Sequence, residues 1–167
     1  MAQDDPGKSA QAGAAPAVGP HEVVVTELDR RFLRGVFSEH HGWVSDEPEA
    51  YGGTGRGPTP YDLLLMSLGA CTSMTVRLYA NHQGIPLEDI VVRLTHRHVH
   101  EEDAEDAGGE DRRLDVIGME IELVGNLDDH QRRRLLHIAA HCPVHRTLKG
   151  ELAIRTRLKG AQQDGGT

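Results

Sequence analysis

The chain has no run of about 18 consecutive apolar residues, the length at which a segment reads as a membrane span, so no spanning helix is expected. It has no basic stretch followed by an apolar core near its start, the mark of a secretory signal. It lacks a positive excess: 18 Lys and Arg face 26 Asp and Glu, a net charge of −8. That balance argues against nonspecific attraction to nucleic acid or anionic membranes. Cysteine is nearly absent, with two copies 71 residues apart, and a lone pair in a reducing compartment is rarely a structural staple. No G-x-S-x-G or H-E-x-x-H pattern occurs, and the Gly-rich loop 52–57 lacks the Lys-Ser/Thr ending of a phosphate cradle. A soluble cytoplasmic protein, without nucleic-acid or membrane partners, is expected.

What remains fits one domain with a sizeable core. Residues 1–20 carry Ala, Gly, Pro and polar types without apolar period and read as a mobile tail. Residues 21–160 read as a single domain, and 161–167 as a loose end. Val23–Thr26, Phe32–Phe37 and His41–Val44 read as short strands. The loop through Gly52, Gly53, Gly55 and Gly57 excludes regular structure. A helix then starts sharply: Thr59 can cap it, Pro60 suits its first position, and Asp62 complements its N-terminus. Leu64, Leu68, Cys71, Thr75 and Leu78 form one apolar stripe, widened by Leu65, Met66 and Val76, so a central buried helix is expected. Gly84 and Pro86 end it.

Ile90–His100 and Leu114–Val124 alternate as strands and suggest a hairpin across the acidic connection Glu101–Asp111. Asp128 can cap an amphipathic helix over 127–141, with Leu135, Leu136, Ile138 and Ala139 on its apolar side. Cys142-Pro143 opens a second, short helix, and Leu152–Leu158 reads as a closing strand. The order β-β-β-α-β-β-α-α-β, without regular alternation, suggests α+β.

Cys142 at a helix N-terminus would face free N–H groups and the positive end of the dipole, which favours a reactive thiol; a plain capping thiol is the alternative. His141, His145 and Arg146 lie beside it in sequence. Cys71, well inside an apolar helix, reads by itself as a core cysteine. His96, His98 and His100 share one face of a strand and, with Glu102, offer donors suited to zinc. A solvated polar face is the simpler reading there, so no metal is assigned. Cys142 with His145 is a weaker chelating pair.

The segments DEPEAYGGTGRGPTPYDLLLMSLGACTSMTVRLYA (46–80) and GNLDDHQRRRLLHIAAHCPVHRTL (125–148) resemble the OsmC/Ohr family, over about residues 30–158. The resemblance implies an α+β fold, with antiparallel sheets around the central helix in an intertwined homodimer. It implies a peroxidatic Cys71 that attacks a small organic hydroperoxide, a sulfenic acid, and a disulfide with Cys142 that an external dithiol reduces. It implies no cofactor. An Arg from the N-terminal strands would stabilise the thiolate, Arg34 first and Arg30 second. The family's peroxidase branch holds that Arg with a Glu ten residues before the helix cysteine, where this chain has Tyr61. Asp62 is rotated from that position by about 100°, and Glu47 is the substitute from the loop. Tyr61 and Asp62 are expected at the substrate. The alternative is a redox-sensing or ligand-binding dimer of the same fold without catalysis.

Overall fold

A computed structural model describes residues 15–100 and 113–159. The expected tail up to residue 14, the acidic connection with Glu102, and the segment from 160 onward lie outside the described residues. The elements are β1 (Val24–Glu27), β2 (Arg34–Phe37), β3 (Gly42–Ser45), a 3-10 turn (Glu49–Tyr51), α1 (Pro60–Gln83), β4 (Asp89–His100), β5 (Arg113–Val124), α2 (Asp129–Ala139) and α3 (Pro143–Lys149). Through α3 this is the expected α+β order of strands and helices. Two compact units divide between Met66 and Ser67, inside α1.

The first unit is a three-stranded antiparallel meander, with Val25 opposite Val36 and Val36 opposite Trp43. The strands are short because turns cut them. The Asp29 carboxylate accepts from the backbone N–H groups of Arg31 and Leu33, at 2.8 and 3.1 Å, and so closes the β1–β2 connection. After β3 the chain runs into the Gly-rich loop, which is organised by one buried side chain, Asp46. Its Oδ2 accepts from the Thr54 hydroxyl at 2.5 Å, the Thr54 N–H at 2.9 Å and the Arg56 N–H at 3.2 Å, and its Oδ1 from the Glu47 N–H at 2.9 Å. The glycines make the fold-back possible: a Cβ on Gly53 would sit 1.8 Å from the Glu47 carbonyl oxygen, and Gly52 and Gly55 hold φ of 89° and 64°.

The Thr54 hydroxyl first, and then the Arg56, Thr54 and Glu47 N–H groups, hold the Asp46 carboxyl down to about 2 from its ordinary 3.8, against the opposing effect of burial. Since folding favours the ionised form, its stabilisation is complete above pH 3.8 and is lost as pH falls towards about 2. Asp46→Asn is expected to lower stability at neutral pH and to flatten the acid limb across that window. Urea midpoints measured against pH check this; an unchanged acid limb would contradict the assignment.

The second unit packs the rest of α1, the β4–β5 hairpin, α2 and α3. Thr59 and Asp62 form a reciprocal cap at the start of α1: the Asp62 N–H donates to the Thr59 hydroxyl oxygen, and Asp62 Oδ2 accepts from the Thr59 N–H and hydroxyl, at 2.9 and 2.8 Å. The buried positions of α1 are Leu68, Thr72, Val76 and Ala80, one residue in four on a single face. The stripe expected through Leu64, Cys71, Thr75 and Leu78 is corrected by this: Leu78 is 72% exposed within the chain. Apolar residues surround the helix, so spacing alone could not select the face. With 24 residues, and an 18-residue window of mean hydropathy 1.3, α1 is long and apolar enough to cross a membrane by length and composition, which the absence of an unbroken apolar run did not reveal. Here its buried face belongs to a protein core. Val76 and Ala80 join Leu87, Leu127, Leu135 and Ala139 there. Gly84, at φ 62°, ends α1 as the Ile85 N–H reaches back to the Ala80 carbonyl at 2.9 Å.

β4 and β5 pair over their whole length, with Val92 opposite Ile121 and Leu94 opposite Met119. α2 opens on the expected cap, a full capping box between Asp128 and Gln131. Leu136, placed on its apolar side by sequence, is 57% exposed. The closing strand expected at Leu152–Leu158 does not form among the described residues: no ladder there involves it, and Ile154 and Leu158 are 82% and 80% exposed. A strand needs a neighbour to bond to, and alternation in sequence does not supply one.

Candidate active site around Cys142

α3 is preceded by Cys142, whose backbone is extended (φ −63°, ψ 153°) and whose side chain takes the capping role usually filled by an oxygen. Pro143 follows at the first helical position, where its missing N–H costs nothing. The Cys142 sulfur accepts from the His145 N–H at 3.4 Å. It is fully buried. Its second neighbour is the hydroxyl of Thr72, also fully buried, which stands 3.3 Å from the sulfur, and either atom can donate. The same hydroxyl donates weakly to the Met119 sulfur at 3.8 Å. Cys142 therefore docks onto the inner face of α1.

Cys71 is the residue before Thr72 on that helix, about 100° and 1.5 Å away by helical geometry. It is half-buried, its carbonyl accepts from the Thr75 hydroxyl at 2.7 Å, and both cysteines are free thiols. Cys142 thus meets α1 at Thr72, the residue that follows Cys71. Sequence reasoning missed Thr72. Its signal was weak: a polar residue next to the helix cysteine, legible only once the buried face is known.

The other expected site residues lie in the first unit. The Arg34 guanidinium donates to the carbonyls of Leu33 and Arg31, at 2.9 and 3.0 Å. Glu47 is half-buried and lends its backbone to the Asp46 loop, its carbonyl accepting from the Gly55 N–H at 3.1 Å. Tyr61 is 49% exposed at the first turn of α1. Asp62 is engaged by Thr59 in the cap described above.

Beside Cys142 the second unit has a cavity of about 370 Å³, lined among others by Leu68, Met119, Asp115 and His145. The Nδ1 of His145 is buried without a hydrogen-bond partner among the described residues. A buried ring nitrogen without a partner gives up its hydration for nothing in return.

Comparison with known proteins places this geometry in a family. Among curated protein sequences none matches the chain. An OsmC-like protein from Mycoplasma pneumoniae has 19% identity and a TM-score of 0.62, over 79% of this chain and 89% of that one. The organic hydroperoxide resistance protein OsmC from Legionella pneumophila has 19% identity and a TM-score of 0.57, over 79% and 92%. The organic hydroperoxide resistance protein OhrB of Bacillus subtilis has 17% identity and a TM-score of 0.54, over 77% and 90%. At such identities these likenesses speak for the fold. The OsmC-like protein family model matches residues 53–157, a span that contains both Cys71 and Cys142. With that match over more than half its length, the chain belongs to the OsmC-like protein family.

Proposed function

We propose that the chain is a thiol-dependent peroxidase that reduces organic hydroperoxides, with a general role in oxidative stress defence. The observation that carries this reading is the 3.3 Å approach of the buried Cys142 sulfur to Thr72, the neighbour of Cys71. The family match, and structural neighbours named for organic hydroperoxide resistance, point the same way.

The chemistry balances with thiols alone. The Cys71 thiolate attacks the terminal peroxide oxygen, the O–O bond breaks, and the alcohol leaves after taking a proton. Cys142 attacks the resulting sulfenic sulfur, water leaves, and a disulfide forms. For this the Cys142 sulfur must release Thr72 and the His145 N–H and move by about one helical step around α1. A small dithiol then restores both thiols by exchange and supplies the two electrons. No cofactor enters. In this reading Arg34 stabilises the Cys71 thiolate, Glu47 steadies Arg34, and Tyr61 and Asp62 border the substrate. The protein acts as a cytoplasmic homodimer. In support of a dimer, Met74 and Leu78 expose an apolar face of α1, and the unpaired 152–158 segment exposes Leu152, Ile154 and Leu158.

A redox-sensing or ligand-binding dimer is the second reading. Tyr61 favours it by standing where the peroxidase branch has an acid. So does Asp62, whose carboxylate is taken by the Thr59 cap. The two readings separate on turnover. Cumene hydroperoxide is added to the reduced protein and intact mass is followed, then steady-state consumption with dithiothreitol. The peroxidase forms a stoichiometric Cys71–Cys142 disulfide and turns over. The sensor is oxidised without efficient turnover. Thiols untouched at micromolar peroxide would exclude both redox readings.

A further inference from the structure

We infer that His96, His98 and Asp115 form a binding site for a divalent first-row transition ion, with zinc as its simplest occupant. The register of the hairpin builds the site. His98 lies directly opposite Asp115 across the β4–β5 ladder, and His96 is two residues along the same face. The Asp115 Oδ1 stands 2.8 Å from His96 Nε2 and 2.8 Å from His98 Nδ1. All three candidate ligand atoms lie within 4.8 Å of one another. Zinc bonds His nitrogen and carboxylate oxygen at about 2.0–2.2 Å, so tetrahedral donors stand roughly 3.3 Å apart. The three atoms already bracket that spacing, and a small rotation of the Asp115 carboxylate admits an ion where the two imidazoles now converge on one oxygen. Two imidazoles and a carboxylate are a borderline donor set, suited to zinc and its neighbours rather than to calcium or magnesium.

The surroundings favour a built site over a chance surface pair. These residues continue the face of the hairpin that carries Leu94, whose Cδ1 lies 2.8 Å from where a Cβ on Gly69 of α1 would stand. The polar trio therefore interrupts the side of the hairpin turned to the helix, and the His96 side chain is only 13% exposed. Twelve paired residues in each strand fix the ligands before any ion arrives, so little conformational freedom is lost on binding. Asp115 and His145 also line one cavity. Three protein ligands leave a coordination position for water.

The inference stands apart from the thiol chemistry and is tested without it. The full-length protein, stripped with chelator, is titrated with zinc at neutral pH against a chromogenic competitor. One zinc per chain is expected, with affinity lowered about tenfold or more in His98→Ala and in Asp115→Asn, in line with the loss of an inner ligand. Far-UV circular dichroism checks that each variant folds; His98 is 61% exposed at its side chain, so that variant carries the test if Asp115→Asn does not fold. Cys71→Ser and the double change His137→Ala, His141→Ala should bind as the parent does. Absence of uptake overturns the site, as does uptake unchanged in His98→Ala. A thiolate-to-cobalt charge-transfer band on cobalt substitution would place the ion at a cysteine and overturn it as well.

Discussion

Cys71→Ser is expected to abolish both hydroperoxide consumption and disulfide formation, while Cys142→Ser keeps the first oxidation and loses the second. The asymmetry follows from the proposed roles. A serine hydroxyl is not ionised at neutral pH and does not attack the O–O bond, so nothing downstream of Cys71 occurs. Without Cys142 the sulfenic acid on Cys71 has no partner and persists, to be trapped by a dione reagent or driven on to sulfinic acid. Intact-mass spectra should show an unmodified Cys71→Ser chain and a Cys142→Ser chain carrying one added oxygen. The folded state is a poor explanation for either result. Cys71 is half-buried, and the change should cost about 1 kcal/mol or less. Cys142→Ser places a hydroxyl where a sulfur now accepts from His145 and meets Thr72, and a serine is a good helix cap. A Cys142→Ser protein that forms no trappable sulfenic acid would contradict the assignment of Cys71 as the attacking thiol.

Leu135→Ala is expected to be the most damaging single change to stability. Leu135 is fully buried among Val76, Ala80, Leu87, Leu127 and Ala139, where α2 meets α1 and the hairpin. Removing it deletes buried methyl groups and leaves a cavity, at a cost of about 3 kcal/mol. Against a total stability of roughly 5–15 kcal/mol that is a large fraction. Leu136→Ala, one residue along the helix but 57% exposed, should cost well under about 1 kcal/mol. Urea denaturation of both variants measures the contrast; equal midpoints would show that the helix packs by the other face.

Much of the fold was legible because local signals were strong. Thr59, Pro60 and Asp62 marked the start of α1, Asp128 the start of α2, and Cys142-Pro143 the start of α3. Each is a cap whose chemistry is complete within four residues. Alternation gave the hairpin strands to within a residue or so. The face of α1 was not legible, since Leu, Met, Val and Ala surround it and no polar stripe selects the inner side. The burial of Asp46 was hidden too: an acid before Glu47-Pro48 reads as loop surface until Thr54 and Arg56 are seen to fold back onto it. For the candidate metal site, the alternation of His96 and His98 was visible, but the third ligand sits 17 residues beyond His98, and only the strand register supplies it.

By itself the sequence determined the element order as far as α3, the helix starts and the two cysteine-bearing segments that mark the family, because capping, period and motif act over a few residues. Only the tertiary structure decided that Thr72, not Cys71, faces the Cys142 sulfur, that Asp115 meets the two histidines, and that the 152–158 segment pairs with nothing among the described residues. Those outcomes depend on which faces of distant elements pack together, a competition over buried area and hydrogen bonds that involves the whole chain at once.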